Sequence, residues 1–151
     1  MEFLHFGMKV DDIRASSDLL GRLLGISWEP ITEYAIELDF AGRVEPGRTL
    51  VSHGLTEAGV EIEMVQSIDG RTPDERVLGA REGVSHVVYR VDDLDSAKAR
   101  AEESGLAQVC AYRSEYVDFV FYEGDVLGGL LLQLVKFHGE RQPVSGNSAV
   151  S

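Results

Sequence analysis

The sequence predicts an α+β fold of two tandem βαβββ modules, their strands forming a curved, mostly antiparallel sheet around one cleft, with helices outside. Three observations predict it. EFLHFGMKVDDI at residues 2–13 resembles GVSHVVYRVDDL at 83–94, so that His5 falls on His86, Val10 on Val91, and Asp11 and Asp12 on Asp92 and Asp93. GVEIEMVQ from Gly59 resembles GLLLQLVK from Gly129, which places Glu63 on Gln133. Within each half the periodicity runs from strand-like alternation to a helical stripe, and back to three strand-like stretches.

The elements follow in order. Leu4, Phe6, Met8 and Val10 alternate, as do Val87, Tyr89 and Val91, and each set reads as a strand with one apolar face. Asp12 and Asp93 are placed to cap the helices that follow, because a short side-chain oxygen can accept from the unpaired N–H groups of a first helical turn. The first helix carries Ile13, Leu19, Leu20, Leu23 and Leu24 on one stripe and stops at Gly25; the second carries Leu94, Ala97 and Ala101 and stops at Gly105. Strands are expected at about 33–40, 48–53 and 59–66, and again at about 107–112, 116–122 and 129–136. The domain therefore spans 1–137, with modules at about 1–67 and 83–137. The linker 68–82 contains a short helix with Pro73 in its first turn. Residues 138–151 are small and polar and are expected to be disordered.

Composition limits the function classes. Fourteen Lys and Arg against 26 Asp and Glu give a formal charge of -12, which disfavours nucleic acid and anionic membrane as partners. A single cysteine, Cys110, allows neither an internal disulfide nor a cysteine zinc cluster, and reads as a small buried apolar residue. No apolar run reaches the length of a membrane span, and MEFLHFGMKV lacks the layout of a secretory signal, so a cytoplasmic protein is expected. Each module should leave a sheet edge, which predicts a homodimer.

Strand parity gathers the chemistry. The apolar rows Leu4/Phe6/Met8/Val10, Val60/Ile62/Met64, Val87/Tyr89/Val91 and Leu130/Leu132/Leu134 should pack under the helices. His5, Glu63, His86 and Gln133 then share the opposite surface. Two imidazoles, a carboxylate and an amide oxygen suit one divalent first-row metal ion with open positions for a small-molecule ligand. Glu61 shares a face with Glu63 and is the alternative carboxylate ligand. Trp28, Tyr34, Tyr112, Tyr116, Phe119 and Phe121 are candidates to line a pocket. Phe119 and Phe121 share one face and Val120 and Tyr122 the other, so only one pair can face it.

Over about residues 2–136 the chain resembles the vicinal oxygen chelate superfamily, which includes glyoxalase I, methylmalonyl-CoA epimerase, extradiol dioxygenases and fosfomycin and bleomycin resistance proteins. It is most similar to the methylmalonyl-CoA epimerase branch, through LHFGMKV, DGRTPDERVLGAREGVSHVVYRVDDLDSA and YVDFVFYEGDVLGGLLLQLV. The resemblance implies a metal centre at His5, Glu63, His86 and Gln133, holding cobalt, nickel, manganese, zinc or magnesium. It departs at Gln133, where the family usually carries Glu; an amide brings no charge and accepts no proton near neutral pH. The implied chemistry is an isomerase or epimerase that moves a proton beside a carbonyl through a metal-stabilised enolate, with an acyl-CoA as one substrate class. Glu45, in Glu-Pro-Gly, is the first candidate base, read as a hairpin residue, and His53 the second. Two alternatives stay open: a non-catalytic drug-binding protein of the same fold, and a glyoxalase-type lyase.

Overall fold

The computed structural model describes residues 1–139; the expected disordered tail lies almost wholly outside the described residues. In chain order the elements are β1 (Glu2–Lys9), α1 (Ile13–Leu24), β2 (Ser27–Trp28), β3 (Thr32–Phe40), β4 (Arg43–Leu55), β5 (Glu61–Gly70), α2 (Glu75–Leu78), β6 (Gly83–Arg90), α3 (Leu94–Glu103), β7 (Ala107–Arg113), β8 (Val117–Glu123) and β9 (Leu131–Phe137). The expected caps are in place. Asp12 accepts from the N–H groups of Arg14 and Ala15, and Asp93 from that of Ser96. Gly25 ends α1 in the left-handed conformation at φ 67°, where a side chain would be strained.

The strands form one mixed sheet in the order β2-β4-β3-β7-β8-β9-β6-β1-β5, and a further β4–β5 pairing closes it into a barrel. β1–β5 and β6–β9 are parallel; the other pairings are antiparallel. Closure pairs strands that the expected modules would leave as edges. β3 meets β7 through one residue pair, Asp39 with Ala111. Side chains reinforce that seam: Leu38 and Phe40 pack with Val109, Cys110, Phe121 and Leu131. Among the described residues no helix is long and apolar enough to cross a membrane.

The helices lie outside, as expected, but cover unequal areas. Beneath α3, Val91, Leu94, Ala97, Ala101, Val120, Tyr122 and Leu134 form a buried cluster, which assigns Val120 and Tyr122 to this outer core. Beneath α1 the buried cluster is Val10, Ile13 and Met64, with Leu20 and Trp28 against it. Leu19, Leu23 and Leu24 are exposed, so the expected stripe of α1 is buried only along its Ile13–Leu20 line.

Other expectations need correction. The hairpin turn joining β3 to β4 is Ala41-Gly42, both at positive φ, and Glu45 lies within β4 instead. Pro73 precedes the N-cap of α2, Asp74, instead of entering the first turn, and β5 runs to Gly70, into the expected linker. The row on β1 is broken. β1 carries an extra residue opposite β6 at Leu4, so Leu4 and His5 both line the interior, while Phe6 is partly exposed. The row on β5 begins poorly, since Val60 precedes the strand and is exposed.

Candidate metal centre

The barrel encloses a cavity of about 490 Å³, within the range of small-molecule sites. Its wall is largely apolar. Tyr34, Tyr112, Tyr116, Phe119 and Phe121 line it, whereas Trp28 does not. The rings of Tyr112 and Phe119 stack at 5.0 Å, with 26° between their planes. Among the described residues Arg71 is the one Lys or Arg on the wall. Its guanidinium lies 4.6 Å over the Phe40 ring and 3.7 Å from a Glu45 oxygen.

A buried group of imidazoles and carboxylates adjoins this wall. β5 lies between β4 and β1, and the register sets His53 opposite Glu63 and His5 opposite Glu61. Two Glu61 contacts are equal: its Oε1 is 3.1 Å from Nδ1 of His5 and 3.1 Å from Nδ1 of His53. Glu63 meets the other nitrogens. Nε2 of His5 and of His53 each lie 3.7 Å from one of its oxygens, and Nε2 of His86 lies 3.0 Å away. Glu63 and the three histidines line the cavity, whereas Glu61 is buried without lining it.

His86 is held from behind. Its Nδ1–H donates to Asp74 Oδ1 at 3.0 Å, and the Ser85 hydroxyl donates to the same carboxylate. A register shift brings Ser85 and His86 inward together, and both are buried. Gly7 makes room for the ring, since a Cβ there would lie 1.9 Å from His86 Cε1. Burial disfavours a charged His86, yet the Asp74 and Glu63 hydrogen bonds outweigh it and raise its pKa to about 9. Burial opposes a charged His5 as well, but the negative carboxylates of Glu61 and Glu63 beside it raise its pKa. Burial likewise opposes ionised Glu63, but bonds from His5 and His86 hold its carboxyl well below the ordinary range.

His5, Glu63 and His86 are thus brought together, and His53 joins them. Gln133 is on the cavity wall, beside Val88 of β6 in register. Glu45 shares the inward face of β4 with Gly47, Thr49, Val51 and His53, but eight residues from His53 is about 26 Å of extended strand. Two participants were missed as such in the sequence. Asp74, which the expected helix with Pro73 in its first turn would contain, stands at the N-cap of α2, but its side chain makes no cap bond and turns to His86. Glu61 was weighed only as a substitute for Glu63. The donor set fits a divalent ion: imidazoles and carboxylates on adjacent strands, with His5 Nδ1 buried and making no hydrogen bond.

Comparison with known proteins agrees with this fold. A methylmalonyl-CoA epimerase from Mycobacterium tuberculosis is 20% identical, with a TM-score of 0.62 over 89% of this chain and 87% of that one. Hypothetical protein BH1468 from Bacillus halodurans C-125 is 14% identical, with a TM-score of 0.68 over 93% and 97%. A variant of Streptomyces coelicolor methylmalonyl-CoA epimerase, in complex with 2-nitronate-propionyl-CoA, is 16% identical, with a TM-score of 0.57 over 92% and 99%. No curated protein matches the chain. The model of one family matches residues 4–121, from the strand bearing His5 to the cavity-lining Phe121, and on that match the chain belongs to the glyoxalase/bleomycin resistance protein/dioxygenase superfamily.

Proposed function

We propose that the chain is an epimerase or isomerase that moves a proton on the carbon beside a carbonyl of a substrate whose acyl end, the part inside the cavity, is mostly apolar and anionic. The observation that carries this reading is the convergence of three imidazoles and Glu63 on one region of an otherwise largely apolar cavity. A divalent ion held by the cluster would supply Lewis-acid polarisation of the substrate carbonyl. Glu63, the one of the two clustered glutamates that lines the cavity, takes the proton from the carbon while the C–H electron pair shifts toward the carbonyl; a protonated imidazole of the cluster then gives a proton to the opposite face of that carbon, and the 3.0 Å contact between Glu63 and His86 passes the abstracted proton back. Arg71 binds the anionic end, and Glu45 orients the guanidinium at 3.7 Å. The neighbours named as methylmalonyl-CoA epimerases, one of them holding an acyl-CoA analogue, support acyl-CoA as the substrate class. We also propose that the chain arose as two copies of one βαβββ unit and acts as a homodimer. With the barrel closed, the dimer would rest on the exposed Phe3, Phe6 and Val84 instead of on free sheet edges.

A second reading is non-catalytic capture of a flat ligand, favoured by the stacked Tyr112–Phe119 pair and by an amide at Gln133. Deuterium wash-in from heavy water into 2-substituted acyl thioesters, with zinc, cobalt or manganese added to saturation, separates the two. Exchange that falls roughly a hundredfold in Glu63→Gln supports the enzyme. No exchange with any thioester, together with tight binding of an aromatic compound, supports capture instead.

A further inference from the structure

We propose that the metal ion of this chain is held by Nδ1 of His5, Nδ1 of His53 and one oxygen of Glu61, leaving Glu63 and His86 to face the ligand. This rests on the reading above that the cluster holds a divalent ion. It replaces the ligand set that the family resemblance implies with one built on three neighbouring strands, β4, β5 and β1.

Spacing is the first argument. Two donors bonded to one ion at about 2.0–2.2 Å stand about 2.8–3.6 Å apart at octahedral or tetrahedral angles. Glu61 Oε1 is 3.1 Å from both Nδ1 atoms, and the three donor atoms all lie within 4.8 Å of one another. His5 and His53 are farther from Glu63, at 3.7 Å each.

The second argument is an unmet hydrogen-bonding demand. His53 Nδ1 bonds to Glu61 Oε1. His5 Nδ1, at the same distance, is buried and makes no hydrogen bond. Protons alone therefore leave a polar atom unsatisfied in the interior, which is costly. An ion between the three donors satisfies it.

The third argument is where the remaining groups point. With Nδ1 of His5 and His53 on the ion, their Nε2–H groups face Glu63, the arrangement in which an outer carboxylate orients a ligating imidazole. His86 is already engaged through both nitrogens, by Asp74 and by Glu63. Glu61 is behind the cavity wall while Glu63 and His86 are on it. His53 is the partly exposed member of the three, so an incoming ligand has access to the ion on that side.

The test uses the full chain loaded with zinc and labelled with nitrogen-15 in histidine. We expect one zinc per chain, with the long-range nitrogen spectrum showing His5 and His53 bound through Nδ1 and protonated on Nε2, and His86 still protonated on Nδ1 and not bound to zinc. Ligation by Nε2 of His5 and His86, an unshifted His53, or no zinc bound at micromolar concentration would each overturn the proposal. Among variants, His53→Gln and Glu61→Gln should weaken zinc binding by at least ~100-fold, and Gln133→Leu by less than about threefold. The spectrum of the unsubstituted protein decides even if a variant fails to fold. Zinc bound in this way without proton exchange would leave the site standing and remove the catalytic reading; exchange with zinc on His86 would do the reverse.

Discussion

Asp74 shows how one side chain couples burial, charge and site geometry. It is almost fully buried, and its carboxylate holds both Ser85 and the Nδ1–H of His86. Without metal, His86 is an imidazolium near neutral pH, since its pKa is raised from 6.5 to about 9. A group whose pKa is raised by folding stabilises the fold fully below its unfolded value. That contribution disappears as pH rises through the folded value. Metal-free protein should therefore lose stability between about pH 6.5 and pH 9, on the order of 3 kcal/mol. Glu63 acts in the opposite window, its contribution being lost as pH falls below about 4.5. Urea unfolding of chelator-treated protein across pH 6–10 measures the first effect. In Asp74→Asn the slope over that range should become shallower, whatever the change in absolute stability. Equal slopes in the two proteins would show that Asp74 does not sustain the charge on His86.

At the scale of elements, the strands were legible wherever parity is unbroken. On β9, Leu132 and Leu134 pack toward α3 while Gln133, Val135 and Phe137 line the cavity, as the alternation requires. On β8, Phe119 and Phe121 face the cavity and Val120 and Tyr122 face α3, a choice that alternation alone left open. Parity failed on β1 because one extra residue turns Leu4 inward beside His5, and no local sequence signal marks that bulge. The role of Asp74 was hidden because the linker helix was expected to begin at Pro73, which put Asp74 inside its first turn. The helix starts after it, so Asp74 occupies the cap position, and there the buried imidazole of His86 is the stronger partner for its carboxylate. Gly7 is the strand position most sensitive to this packing, since the His86 ring occupies the space where a Cβ would project. Gly7→Ala should cost about 1–3 kcal/mol or more, because the ring must leave its Asp74 bond or the two strands must separate. Its unfolding midpoint, read beside the His86 nitrogen shifts, checks this. An unchanged midpoint with unchanged shifts would mean that the ring does not pack on Gly7.

At the scale of the whole molecule, closure of the barrel is the feature that module-by-module reading could not supply. The repeat suggested two units around a cleft, and hence free edges; the chain instead joins β4 to β5 and β3 to β7. These two junctions differ in kind. β4 and β5 pair from Gly47–Gly70 to Leu55–Glu61, whereas β3 and β7 share one pair. The second junction must therefore be held by side chains, and Leu38 is central to it. It is 4% exposed and packs with residues of β7, β8 and β9. Leu38→Ala should destabilise the protein by about 2–5 kcal/mol, the range for a buried leucine whose site cannot collapse. It should also speed hydrogen exchange at the β7 amides near Ala111 more than along the β4–β5 junction. Leu23→Ala, on the open side of α1 at 69% exposure, should stay within about 0.5 kcal/mol and leave both junctions protected. If Leu38→Ala instead loosened both junctions equally, the barrel would open as one cooperative unit, and β3–β7 would not be its weak seam.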